Sequence, residues 1–118
     1  DARRLACGAG LVPAVLDGAS LPLDLGRAKR LFQEHQRVAL ATAYDTCAGE
    51  GCDRPFAWCE LHHERPWAAG GRTDLADAVP LCGHHHRLIH NPRFEHTLRR
   101  EKCRSGRIRK TVAFRRRP

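Results

Sequence analysis

The 118-residue sequence contains no methionine and begins with aspartate, so we expect it to be a piece of a longer protein with a further domain upstream. It has no apolar run close to the roughly 20 residues that a membrane-spanning helix needs. No stretch has the arrangement of a secretory signal peptide. Internal repeats and low-complexity linkers are also lacking. We therefore expect one small domain with a thin hydrophobic core and no membrane partner.

Acidic residues are scarce relative to basic ones. The chain has 13 Asp and Glu against 21 Lys and Arg, which gives a formal net charge of +8. A field of this sign concentrates polyanions near the surface, and nucleic acid is the commonest of them. The charge therefore favours a nucleic-acid partner, with a soluble surface that is merely basic as the alternative.

Cysteine and histidine, by contrast, occur in close pairs. Cys47 and Cys52 flank a Gly-containing turn, and Cys82 and His85 form a second pair about thirty residues later. Two such pairs are typical of a tetrahedral Cys3His structural zinc site, and reduced thiols fit a cytoplasmic protein. A Cys47–Cys52 disulfide is the alternative, but it leaves Cys82 unexplained. The fourth ligand stays open because residues 84–86 are all histidine.

The apolar pattern divides this one domain into a lead-in (1–45), a central core (46–92) and a basic β-hairpin with a tail (93–118). An Ala-rich stretch without Gly or Pro predicts a helix from Arg27 to Tyr44. The other predicted elements are two extended runs, a strand, a second helix and the final hairpin, at Leu11–Leu16, Leu21–Leu25, 56–63, Cys82–Asn91 and 93–118.

A second histidine group predicts an open metal site. On the second helix, His86 and His90 are four residues apart and lie on one face. On the preceding strand, adjacent side chains point to opposite faces, so His62 can turn toward this pair while His63 faces the substrate. Three imidazoles with open positions are typical of a catalytic metal site, and His63 suits a general base. The alternative is that His62 and His63 contact DNA without chemistry.

These motifs together resemble a known family. The order CAGEGC…WCELHH…GGRTDL…LCGHHHRLIH is similar to the HNH endonuclease domain. More narrowly, it resembles the C-terminal HNH domain of a large actinobacterial family in which a domain of unknown function lies upstream. The resemblance covers roughly Ala2 to His90. It implies an α+β fold with a small zinc-stabilised ββα-metal (His-Me finger) core. The residue pattern adds a helix and hairpin lead-in and a basic C-terminal β-hairpin.

The resemblance also implies roles for individual residues. His63 matches the first His of the motif, the general base, and His86 matches the last, a metal ligand. His62 and His90 fall on further metal-binding positions. The middle Asn of the motif aligns with Asp77, which can accept hydrogen bonds but cannot donate an amide N–H. The four knuckle positions are occupied by Cys47, Cys52, Cys82 and His85.

The sequence therefore favours a metal-dependent DNA endonuclease of the bacterial cytoplasm that hydrolyses phosphodiester bonds. Structural Zn²⁺ and a catalytic Mg²⁺, Mn²⁺, Ni²⁺ or Zn²⁺ are the expected cofactors. Arginines are the expected phosphate contacts; the candidates are Arg65, Arg87, Arg107 and Arg109. Two alternatives stay open: a zinc-binding DNA-binding module with weakened catalysis, which Asp77 favours, and a purely structural zinc domain.

Overall fold

The computed structural model describes residues 21–118, which form a small α+β fold. These residues contain two short α-helices, two antiparallel hairpins and three single-turn 3-10 helices. The elements in chain order are α1 (Glu34–Leu40), a 3-10 turn (Phe56–Trp58), β1 (Glu60–His63), 3-10 turns (Trp67–Ala69 and Leu75–Asp77), β2 (Ala78–Leu81), α2 (Gly83–Ile89), β3 (Phe94–Lys102) and β4 (Ile108–Arg116). The predicted α+β class is confirmed. Within residues 21–118, no helix has the length and apolar character needed to cross a bilayer.

The hairpin of β1 and β2 carries the histidine doublet. His62 lies opposite Val79 and His63 opposite Ala78. β2 is buried throughout, and Leu81 has no exposed surface. Because side chains alternate along a strand, His62 and His63 project from opposite faces. α2 follows β2 directly and contacts both strands.

The C-terminal hairpin packs against the loop that carries the first cysteine pair. β3 and β4 pair antiparallel from Phe94 opposite Arg116 onward. The fully buried Val112 donates its N–H to the Ala48 carbonyl at 2.8 Å and accepts the Glu50 N–H at 2.8 Å. The predicted C-terminal hairpin is confirmed, and it supports the core.

The predicted helix from Arg27 to Tyr44 is wrong in its extent, because only α1 within this stretch is helical. A capping box between Gln33 and Gln36 begins the helix, with the Gln33 N–H donating to the Gln36 side chain at 2.8 Å. Upstream of it, the Lys29 carbonyl accepts a hydrogen bond from the Thr73 hydroxyl at 2.5 Å. Long-range partners therefore satisfy this backbone, and they override its local helix propensity.

Two smaller predictions also need correction. The strand expected at 56–63 begins with a 3-10 turn, and only its second half is extended. The run Leu21–Leu25 forms no strand; it contributes a single bridge between Asp24 and Asp74. The run Leu11–Leu16 lies outside the described residues.

A buried ion pair connects the C-terminal hairpin to the strand of the histidine doublet. The Lys110 side chain is 4% exposed, and its Nζ lies 2.6 Å from Glu64. Lys110 also donates to the Ala76 carbonyl, and its backbone N–H donates to the Tyr44 hydroxyl at 2.7 Å. Glu64 in addition accepts a hydrogen bond from Arg100. The pair therefore holds β4 against the segment that leaves β1.

We expect Glu64→Gln to destabilise the fold, because it leaves the Lys110 charge buried without its counter-ion. Removing one partner of a buried pair costs about 3–5 kcal/mol, and we expect the lower end because Glu64 is 27% exposed. Adding Lys110→Met should recover most of this loss. Urea unfolding measures both variants. The control is Glu101→Gln, which breaks an exposed pair with Arg109 and should cost less than about 1 kcal/mol. Equal losses in the two single variants would contradict the prediction.

The same pair gives the stability a pH dependence. Burial alone raises the pKa of Glu64, but hydrogen bonds and charge from Lys110 and Arg100 outweigh burial and hold this pKa below its ordinary value. The contribution is therefore present above the ordinary glutamate pKa and is lost as the pH falls through the lowered one. The stability difference between the native chain and Glu64→Gln should shrink over that acidic range.

Candidate metal centres and catalytic site

The first cluster joins the two predicted knuckle pairs. Cys47, Cys52, Cys82 and His85 present donor atoms that all lie within 4.8 Å of one another. The Sγ atoms of Cys52 and Cys82 are 4.0 Å apart, and the His85 Nδ1 lies 3.4 Å from Cys82 and 3.5 Å from Cys47. Zinc bonds of about 2.0–2.3 Å in a tetrahedron place neighbouring donors about 3.5–3.8 Å apart. Donor types and spacing therefore fit one zinc ion.

Hydrogen-bond donors surround these sulfur atoms. The backbone N–H groups of Gly49 and Cys82 donate to the Cys47 Sγ at 3.3 and 3.2 Å. The Arg54 guanidinium donates to the Cys82 Sγ at 3.6 Å. Such donors stabilise thiolates, the form that binds metal. Cys59 lies outside the cluster and is 4% exposed, so it packs in the core as a small side chain.

Gly49 leaves the space that the His85 ring occupies. A Cβ at this position would lie 2.7 Å from two atoms of the ring. We expect Gly49→Ala to displace His85, to weaken zinc binding and to destabilise the fold by about 1–3 kcal/mol, as overpacking does. Zinc competition with a chelator and urea unfolding measure the two effects. The control is Gly83→Ala in α2, where the new Cβ would meet only the flexible end of Arg87 at 3.4 Å. Unchanged zinc affinity in Gly49→Ala would refute the prediction.

The second cluster consists of His62 from β1 and His86 and His90 from α2. Their donor atoms also lie within 4.8 Å of one another, and the ring centroids are 5.0 to 5.5 Å apart. Burial, together with the nearby His90 and His86, lowers the pKa of His62 to about 4. Its imidazole is therefore neutral at pH 7, which is the form that binds metals. The structure thus brings together the three residues that the histidine spacing predicted.

Glu60 is a member of this site that sequence reasoning missed. Its carboxylate accepts a hydrogen bond from the Nδ1 of His86 at 2.7 Å. The donated proton leaves the Nε2 of His86 free for a metal ion, and a carboxylate partner of this kind orients ligand imidazoles. The signal was present in the sequence, because Glu60 is two residues before His62 and shares its face of the strand.

His63 lies on the other face of β1, in an aromatic notch. Its ring centroid is 4.5 Å from that of Phe32 and 6.0 Å from that of Trp67, and its Nε2 lies 3.1 Å from the Thr73 hydroxyl oxygen. Burial lowers the pKa of His63, although the charge of Asp77 acts in the opposite direction. The ring is therefore neutral at pH 7, with Thr73 as its hydrogen-bond partner within the described part of the chain.

Asp77 lies at the end of a 3-10 turn, next to the strand of the doublet. Its backbone carbonyl accepts the Glu64 N–H at 2.8 Å. Burial raises the pKa of its carboxyl group. The residue is thus close enough for its charge to act on His63, while its backbone extends the pairing of the two strands.

The four predicted phosphate contacts lie in different surroundings. Arg65 and Arg87 are exposed, and both come shortly after predicted metal-site residues in the chain. Arg109 donates to Glu101 at 2.9 Å, which offsets its charge, and Arg107 lines a cleft with Leu40 and Ala78. The contact of these four arginines with phosphate stays a prediction, and Arg65 and Arg87 are the more exposed members of the set.

Arg27 is a further cation that the sequence did not single out. Its guanidinium lies 3.7 Å from the Trp67 ring centroid. It also donates to the carbonyls of Trp67 and Gly71 at 2.7 Å each. Arg27 thereby connects the lead-in to the loop after β1, and this loop forms one wall of the His63 notch.

Comparison with known proteins shows what this part of the chain is similar to. Residues 47–92 match the sequence profile of the HNH endonuclease family. Similar curated proteins include the uncharacterized proteins Mb1179c of Mycobacterium bovis and Rv1945 of Mycobacterium tuberculosis, each 39% identical over 89 residues, or 75% of this chain and 19% of theirs. The uncharacterized protein Rv1128c of Mycobacterium tuberculosis is 39% identical over 88 residues, again 75% of this chain and 19% of its own length.

The chain thus spans about a fifth of the length of the curated relatives it matches. No solved structure is significantly similar to it. The profile match begins at the first cysteine of the Cys3His cluster and ends two residues after His90, so it encloses both candidate metal clusters and the histidine doublet. Residues 47–92 of this chain are thus similar to the HNH endonuclease domain.

Proposed function

We propose that this chain is a metal-dependent DNA endonuclease domain that hydrolyses phosphodiester bonds. The observation that carries the proposal is that adjacent residues of β1 have different surroundings, one suited to metal binding and the other to proton transfer. His62 faces two further imidazoles, whereas its neighbour His63 stands apart from them with a neutral ring. The two rings leave opposite faces of one strand from adjacent residues, about 3.3 Å apart along the backbone, so we place the scissile phosphate across the edge of this strand, between the two groups. The hairpin β1–β2 with α2 then forms a ββα-metal core.

In this mechanism His62, His86 and His90 would hold a divalent cation, and Glu60 orients His86. A cation bound there would stabilise the negative charge that develops on the phosphorane and on the leaving 3′-oxygen. His63 accepts a proton from the attacking water, and the notch around it limits its solvation. Cys47, Cys52, Cys82 and His85 would hold a zinc ion, which would fix the start of α2.

DNA is the substrate that the charge of the chain favours. The net charge of +8 attracts polyanions, and Arg65 and Arg87 lie exposed near the two histidine groups. Guanidinium groups bind phosphate with two parallel hydrogen bonds. Contacts of this kind carry affinity but little sequence information, so we expect cleavage with low sequence preference and a strong dependence on salt.

The proposal is tested by metal analysis of the purified chain together with plasmid nicking. We expect one zinc ion per chain, and conversion of supercoiled plasmid to open circles when Mg²⁺, Mn²⁺, Ni²⁺ or added Zn²⁺ is present. A weak chelator that spares the structural zinc should stop the reaction. Absence of nicking with all four ions would reject the proposal.

Asp77 favours a second candidate function, because this position carries an asparagine in the HNH motif that the chain resembles. In this alternative the chain binds DNA through the same basic surface and does not cleave it. It predicts salt-dependent retardation of DNA in a gel without nicking under any of the four metals.

We expect Glu60→Gln to weaken binding of the second metal ion. The amide is nearly isosteric with the carboxylate, but it lacks the negative charge that orients the His86 ring and increases its basicity. Loss of such a partner typically costs about 10- to 100-fold in metal affinity. Calorimetric titration of zinc-loaded protein with the activating ion measures the effect. Glu95→Gln, which affects an exposed pair with Arg115, is the control, and equal affinities in the two variants would exclude this role.

A further inference from the structure

Thr73 is a buried residue that connects the lead-in to the catalytic strand. It has no exposed surface. Its N–H donates to the Gly26 carbonyl at 2.7 Å, and its carbonyl accepts the Leu25 N–H at 3.1 Å and the Gln36 side-chain amide at 2.8 Å. The backbone of Thr73 is therefore held on both sides, which fixes where its hydroxyl group lies.

The hydroxyl has one proton and three possible acceptors. Its Oγ1 lies 2.5 Å from the Lys29 carbonyl oxygen, 3.4 Å from the Arg30 carbonyl oxygen and 3.1 Å from the His63 Nε2. A carbonyl can only accept a hydrogen bond, so the short contact takes the hydroxyl proton. The oxygen then offers only lone pairs to His63. The 3.1 Å contact between the Thr73 Oγ1 and the His63 Nε2 is therefore a hydrogen bond only if Nε2 carries a proton and donates it to Oγ1.

We propose that Thr73 is a positioning residue that holds His63 as its Nε2–H tautomer, so that Nδ1 is the atom that accepts the proton of the attacking water. The role of Nδ1 rests on the proposed function, whereas the tautomer does not. The Phe32 ring lies 4.5 Å from the His63 ring, centroid to centroid. It packs against the imidazole and limits rotation of this ring about its Cβ–Cγ bond. Orientation of a histidine base by a fixed partner on its other nitrogen is a general device of acid–base catalysis.

The tautomer is measured directly by long-range ¹H–¹⁵N NMR of the ¹⁵N-labelled 118-residue chain, loaded with zinc. The measurement is made at about pH 8, above the usual histidine pKa. We expect His63 to show a protonated Nε2 and a bare Nδ1. Thr73→Ser should keep this pattern, because it keeps the hydroxyl. Thr73→Val should lose it. A protonated Nδ1 in the native chain would overturn the proposal, whether or not the chain cleaves DNA.

Kinetics of plasmid nicking provide the second readout. We expect Thr73→Val to lower kcat about 10- to 100-fold, part of the ~10²–10⁴ that a positioned base contributes, with KM unchanged because buried Thr73 does not meet DNA. Thr73→Ser should restore most of kcat. The control is Thr42→Val, which removes a buried hydroxyl that donates to the Ala39 carbonyl at 2.9 Å. An equal loss of kcat in Thr42→Val and Thr73→Val would mean general destabilisation and would overturn the positioning role.

Discussion

Cys52→Ala will abolish zinc binding and unfold the core at ordinary temperature. Cys52 supplies one of four donors in the Cys3His cluster, and zinc binding to such sites contributes about 10–16 kcal/mol of folding free energy in small zinc domains. This contribution is as large as the total stability of about 5–15 kcal/mol that a domain usually has, so its loss is enough to unfold the core. Zinc content by mass spectrometry and thermal unfolding by circular dichroism measure the two effects.

The control for this experiment is Cys59→Ala. Cys59 is more buried than Cys52, so loss of packing alone would make the Cys59 variant the less stable of the two. The zinc cluster predicts the reverse order, with one zinc ion retained in Cys59→Ala. A Cys52→Ala protein that binds one zinc ion and unfolds like the native chain would show that these cysteines do not hold a structural metal.

His63→Ala should eliminate DNA nicking while the fold and the bound zinc stay intact. The imidazole lies in the notch formed by Phe32, Trp67 and Thr73, and loss of a positioned general base lowers the rate by about 10²–10⁴-fold. KM should change little, because the proposed phosphate contacts are arginines elsewhere. Quantified conversion of supercoiled plasmid, under saturating activating metal, measures the rate.

His96→Ala is the matched control for that variant. His96 is an exposed histidine on β3, outside both clusters. Its replacement removes an imidazole from the same basic chain but neither a metal donor nor the proposed base, so nicking should continue close to the native rate. Full activity in His63→Ala would assign the base to another group.

The grouping of the metal-site histidines could be predicted from the sequence because it depends on local periodicity. The alternation of a strand separates His62 from His63, and helical spacing aligns His86 with His90. β1 and α2 are regular over the few residues that carry these histidines, so the alternation of a strand and the spacing of a helix both hold there. The convergence of the two elements followed from the antiparallel hairpin that leads directly into α2.

The partners of these residues could not be predicted in the same way. Thr73 reaches His63 from a loop, and its position depends on hydrogen bonds to the lead-in that have no sequence period. The same bonds explain why the helix predicted from Arg27 stops short at its N-terminal end. The ion pair between Lys110 and Glu64 could not be predicted either, because the two residues are 46 positions apart along the chain and no local pattern connects them.

The brevity of α2 constrains how this domain can vary among related chains. Its seven residues contribute to both candidate metal clusters, with His85 in one and its neighbour His86 in the other. One inserted residue would rotate everything after it by about 100°. A single insertion between Cys82 and His90 would therefore misdirect one donor set or the other. Homologues that use both ions should differ here by substitution alone, and length changes should be confined to the connections outside this segment.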